Sequence, residues 1–385
     1  MKNTKKLNFP ILVVFTVIIA AIALAACSNP SGTTSGSSVT TPDPCEDGHD
    51  FVDGECTLCG ADDFPTAAGL YLGAPADLTS ASVPIVGIAA NDVAAAVDRV
   101  ILDGNENNGA YTLLLSANVE VDDQQSLNVD NRPLTIIGIG GERTISRTEN
   151  GVTFSIAQWA TVTIGNNITL RGREGNNNPV VTVNTNATFI MLDGSKITGN
   201  VMSGSGDNGA GVSVANATFH MNGGDITGNT NNGGAFANLS TGGLSVSGTG
   251  QAQLNGGSIT GNTGRHDDVL VSANYQTRFR LSGDAKVGKL SLNASASERP
   301  SINITSEWTG SVGSLSLAAN TANFTGTGNT VIGWWAPPRT VLSGTVDASV
   351  VSKFAVVQFM NNAGDTQPIS PTHVIDAGGV LQAVP

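Results

Sequence analysis

Aromatic residues are scarce. Phe, Trp and Tyr together make up 5% of the 385 residues, and only four tryptophans occur. Surfaces that stack sugars or bases on aromatic faces can therefore be few at most. Charge is scarce too, at 13%, and it is mainly acidic, with 31 Asp and Glu against 18 Lys and Arg. Nucleic-acid binding needs clustered Lys and Arg to displace counterions, so DNA and RNA are set aside as partners. Helical periodicity disappears after about residue 104. That excludes ankyrin, tetratricopeptide and HEAT repeats, and the absence of an L-x-x-L-x-L skeleton excludes leucine-rich repeats. No Ser/His/Asp spacing, phosphate loop or nucleophile elbow is present. The GIGG at 138–141 has no helix after it and reads as a corner, not a dinucleotide fingerprint.

The one long apolar run is at the start. MKNTKK forms a basic n-region, FPILVVFTVIIAAIALAA an apolar stretch, and Leu24-Ala25-Ala26 leads into Cys27. This arrangement resembles a bacterial lipoprotein signal, with 1–26 as the signal peptide. The resemblance implies that Cys27 becomes an acylated first residue carrying chains such as palmitate. Each buried methylene of such a chain contributes roughly 0.8 kcal/mol to membrane binding. The alternative is an uncleaved signal anchor, which would not require the cysteine. Ser28, not Asp, follows Cys27, which in the Gram-negative sorting rule favours the outer membrane. Removing 1–26, with Lys2, Lys5 and Lys6 and no acid, takes the net charge from −13 to −16. Attachment to a membrane would thus rest on the acyl chains. Residues 27–44 are almost purely Ser, Thr, Gly and Pro and read as a flexible tether.

Residues 45–60 carry Cys45, His49, Cys56 and Cys59 in a C-x3-H-x6-C-x2-C spacing. Four N/S donors suit tetrahedral zinc, and the segment resembles the short zinc-ribbon-like units of bacterial surface proteins. With four protein ligands such a zinc would be structural. The alternative is one disulfide plus a free thiol in an oxidising compartment.

Next, NDVAAAVDRVILDG (91–104) predicts a short amphipathic helix with an Asn or Asp start and a closing Gly. Beyond it one sentence repeats: ATVTIGNNIT, ATFIMLDGSKIT, ATFHMNGGDIT, AQLNGGSIT and FRLSGDAKV. Anchoring on Ile168, Ile197, Ile226, Ile259 and Val287 gives spacings of 29, 29, 33 and 28 residues. Alternation places Ala217, Phe219 and Met221 on one face and Thr218 and His220 on the other, matching the units before. Each unit holds a second apolar strand, such as VVTVN at 180–184 and GVSV at 211–214. A period near thirty without helices predicts an all-β fold, a parallel β-helix over 66–340. Gly and Asn would form its corners, with Asn200, Asn229 and Asn262 stacked as a hydrogen-bonded ladder. The 91–104 helix would cap the first coil, and C-terminal strands at 341–385 the last. A β-sandwich is the competing architecture.

On the words at 187–200, 217–229 and 252–262 the chain resembles bacterial, spirochaete-type surface lipoproteins. These have pectate-lyase-like right-handed β-helices built from F-x-M-x-G-G-x-I-x-G-N repeats. The full pattern is intact at Phe219–Asn229; the 189–200 copy has an extra residue and Asp193, and the 252–262 copy has Ala252 in the Phe position. The resemblance implies fold and location more than activity.

The best candidate for chemistry is Arg265, His266, Asp267 and Asp268, just after the third repeat's corner. A lyase needs a carboxylate cluster with a basic residue, and a hydrolase needs close carboxylates. Adjacent Asp residues on a strand would point to opposite faces, and the alternative is a solvated loop. Asp193 and Asp225 do not align between coils and predict no acidic stripe. Trp334 and Trp335 would alternate faces, one packed and one exposed; the reading is a capping role, with a ligand contact as the alternative. Two functions follow. The first is a non-catalytic, lipid-anchored surface protein whose flank contacts a host protein, matrix or glycan. The second is a polysaccharide lyase or glycoside hydrolase using the same flank.

Overall fold

The computed structural model describes residues 64–103, 109–203, 209–233, 239–272, 278–294, 299–319, 321, 323–325, 330–370 and 372–384. These form an all-β parallel solenoid with few helices. The parallel pairing of successive units rules out the β-sandwich, whose sheets are antiparallel.

Each coil contributes a strand to three faces. On the first face, Thr161–Ile164, Thr188–Met191, Thr218–Met221, Gln251–Leu254 and Arg278–Leu281 pair in parallel with no slip of register. Period-two alternation then stacks like on like. Val162, Phe189, Phe219, Ala252 and Phe279 form one buried column, and Ile164, Met191, Met221, Leu254 and Leu281 another. The rings of Phe189 and Phe219 lie 5.8 Å apart and 19° from parallel. The second face carries the column Ile145, Leu170, Ile197, Ile226, Ile259, Val287. The third is built on Phe154–Ile156, Val181–Asn184, Val212–Ala215, Leu244–Ser247 and Val269–Ser272. The second and third faces merge in the long strands Lys286–Ala294 and Ser311–Ala319.

One anchor is corrected. Ile197 pairs with Leu170, not with Ile168. Both Ile168 and Leu170 are buried, because two apolar residues separated by one position share a side of a strand. Ile168 instead pairs with Arg143, at the start of the strand.

The helix runs Val93–Leu102, with Asp92 as N-cap accepting from Ala95 N. Its buried face, Val93, Ala96, Val97 and Val100, joins the same core as the first strands. Gly104 lies outside the described residues. The helix carbonyls of Val100 and Ile101 are satisfied by the buried Arg132 guanidinium, which donates to both. Parallel pairing continues beyond residue 340, through Leu342–Gly344 and Phe354–Met360. Trp334 and Trp335 close a short helix, Val331–Trp334, where strand alternation does not apply. Trp335 is fully buried with Nε1 donating to Ala318 O.

Candidate functional site

The corner between the second and third faces is polar and closed to water. Gly199, Gly228 and Gly261 take positive φ (66° to 71°), a conformation that glycine adopts without strain, and each is followed by a buried asparagine. Asn200 N donates to Asn229 Oδ1 (3.2 Å), and Asn229 N and Nδ2 both donate to Asn262 Oδ1 (3.1 Å each). Asn262 N and Nδ2 in turn both donate to Asp268 Oδ1 (2.9 Å each). Asn176 extends the series at the other end, donating from Nδ2 to Asn200 Oδ1. Each of these Asn-to-Asn and Asn-to-Asp links points the same way along the axis, and the series ends on a group that only accepts. Asp268 is that group; its Oδ2 also accepts from Lys289 N.

This assigns the cluster at 265–268. It is not a solvated loop: His266 and Asp268 are 4% and 3% exposed. Nor are the two aspartates on a strand. They occupy the turn before Val269–Ser272, with Asp267 at φ 43°, so strand alternation does not separate them. Burial pushes the Asp268 carboxyl up, opposed by the hydrogen bonds from Asn262 and Lys289. Asp267 pairs with Lys289 Nζ at 2.8 Å, and Arg265 donates to Asn362 O. The geometry ties Asp268 into the interior and leaves its carboxylate no open approach for a substrate.

The outward side of the first face is the accessible flank. Thr161, Thr188, Thr218, Gln251 and Arg278 form one line. Thr135, Thr163, Ile190, His220, Gln253, Arg280 and Asn303 form the other. Neither line holds a carboxylate. On both lines the middle coils carry no Lys, Arg, Asp or Glu, and Arg278 and Arg280 place two exposed cations towards the C-terminal end. Burial between Ile190 and Gln253 lowers the His220 pKa, and burial lowers that of His373. A histidine held neutral in the fold contributes stability above its unfolded pKa of about 6.5, and that contribution is lost as pH falls below it. Urea midpoints should therefore drop between pH 7.5 and pH 5, roughly as linkage requires. His220→Gln should flatten part of that slope; an unchanged slope would contradict the assignment.

Around the corner from this flank, Glu142, Thr169, Asp193, Lys196, Asp225 and Asp284 line a shallow groove of about 350 Å³. Asp193 and Asp225 do not align between coils, as the sequence predicts, yet both line this one groove. Asp225 pairs with Lys196, and Asp193 stacks against Gly223 of the next coil, so both face one groove from different positions in their coils. Thr169 donates to Glu142 Oε1 at 2.6 Å. Among the described residues no group of three or more His, Cys, Asp or Glu is placed to hold a metal ion. Cys27 and the zinc-ribbon-like set Cys45, His49, Cys56 and Cys59 lie outside the described residues, as do the signal segment and the tether.

No family model matches the chain, and no curated protein or solved structure matches it either.

Proposed function

We propose that this is a lipid-anchored surface protein whose solenoid flank binds a host or matrix protein or a glycan without cleaving it. The observation that carries the reading is the outward side of the first face: mainly Thr, Gln and Asn, with Ile190, His220 and two arginines among them, and no carboxylate on either line. Acid–base cleavage of a polysaccharide needs positioned carboxylates, whereas extended binding needs only a regular array of donors and acceptors. The candidate acids of the 265–268 cluster are spent on internal bonds.

The coils are read as right-handed, the hand that parallel strand connections prefer. The Val93–Leu102 helix and the C-terminal strands are read as covers for the two ends, which a solenoid needs. Cys27 would carry the lipid and hold the chain on the outer membrane or cell surface, with 27–44 as tether. Cys45, His49, Cys56 and Cys59 would hold a structural zinc; the runner-up there is a disulfide.

A polysaccharide lyase or glycoside hydrolase is the second reading, and the groove of Glu142, Asp193, Asp225 and Asp284 favours it. The test is a screen of the intact protein against glycans and matrix proteins, repeated with Thr188→Glu/Thr218→Glu. Loss of binding in the double variant is expected. Binding that survives it, or binding lost on neutralising the acidic groove, would overturn the assignment to the first face.

A further inference from the structure

The corner between the third and first faces repeats one backbone conformation. Asn131, Trp159, Asn186 and Asn216 each stand three residues before a residue of the column Leu134, Val162, Phe189, Phe219. Their φ values are 58°, 68°, 62° and 56°. Asparagine tolerates this left-handed conformation because its short polar side chain can bond locally; a bulky side chain there is an outlier. The repeat thus supplies its own control, and Trp159 is the departure from it. Its indole is 60% exposed. The other tryptophans are engaged internally. Trp308 donates to Ala285 O under Lys353, Trp335 donates to Ala318 O, and Trp334 carries Arg299 at 5.8 Å.

We propose that this corner binds a neutral glycan, with the Trp159 indole as stacking platform and the side-chain amides of Asn131 and Asn186 bonding its hydroxyls. The proposal rests on the surface-binding reading, names its ligand class, and extends its site from the first face to the corner that enters that face at Thr161. Neighbouring coils stand about 4.8 Å apart, so Asn131 and Asn186 stand one coil to either side of Trp159. A protein hot spot would surround the indole with apolar contacts that exclude water. None of the other exposed large apolar side chains belongs to residues 128–131, 158–160 or 184–187. The charge there disfavours an anionic glycan: Asp130 is exposed, and Arg132 is buried against the helix end.

The experiment titrates the intact protein with cellohexaose, chitohexaose and maltohexaose while following tryptophan fluorescence. One of these is expected to perturb the emission. Trp159→Asn, which restores the residue of the neighbouring coils, should weaken binding about tenfold or more. It should melt at the same or a higher temperature, which separates lost binding from lost folding. Trp159→Phe should retain part of the affinity. Undiminished binding by Trp159→Asn, or no response to any of the three sugars, overturns the proposal. A matrix protein that binds the parent and Trp159→Asn equally, with no sugar response from either, would overturn it while leaving the surface-binding reading intact.

Discussion

Asn229→Ala should destabilise the protein by about 3–5 kcal/mol, read as the shift in urea midpoint, because it leaves buried partners unsatisfied at roughly 1–3 kcal/mol each. Asn229 accepts from Asn200 N and donates to Ile197 O, Thr227 O and Asn262 Oδ1. Alanine removes the acceptor and both donors at once, in a corner with no water to replace them. Asn229→Asp keeps the shape but turns a donor into an acceptor facing Ile197 O and Asn262 Oδ1. It should be at least as damaging at neutral pH. Asn303→Ala, exposed on the flank, is the control and should fall within about 0.5 kcal/mol of the parent. Equal effects of Asn229→Ala and Asn303→Ala would contradict the buried spine.

Phe219→Ala is the second large effect, expected at about 3–5 kcal/mol. The ring is fully buried, stacked on Phe189 from the coil before and set beside Ala252 of the coil after. Small beside large is how the column fills without voids. Truncating Phe219 next to Ala252 would therefore leave two alanines together and a cavity that rigid neighbouring rungs cannot close. Ala252→Phe, which restores the repeat's own residue, should instead overpack the column and cost about 1–3 kcal/mol. Thr218→Ala, one residue away but outward, should change stability by less than about 0.5 kcal/mol. Hydrogen exchange on Phe219→Ala should show the loosened amides on adjacent coils first, since each coil is held by its neighbours.

What the sequence made legible is what the solenoid repeats. Phe189, Phe219 and their column could be read directly, because in-register stacking demands the same residue class at the same place in each coil. The T-G-N corners were legible for the same reason. Features that do not repeat were hidden. Leu170 was missed in favour of Ile168 because both are inward-facing, and only pairing distinguishes them. Asp268 looked like chemistry because nothing in the sequence reveals that a run of asparagine bonds ends on it. Trp159 was legible as a departure, since Trp159, Asn186 and Asn216 each precede the Ala-Thr of a repeated word; only Asn131 needs strand register to join them, and the exposure of the indole appears only in the fold. The acidic groove escaped because Asp193 and Asp225 occupy different steps of successive coils and meet only in space.

The central claim is that the flank binds and does not cleave. Its most direct test is product analysis: incubate the intact protein with each polysaccharide that it retains, then measure new reducing ends and unsaturated sugars. The account predicts bound polymer recovered at its original length with neither product. Shortened chains or unsaturated ends, abolished by Asp193→Asn or Asp225→Asn, would contradict it and move the function into the acidic groove.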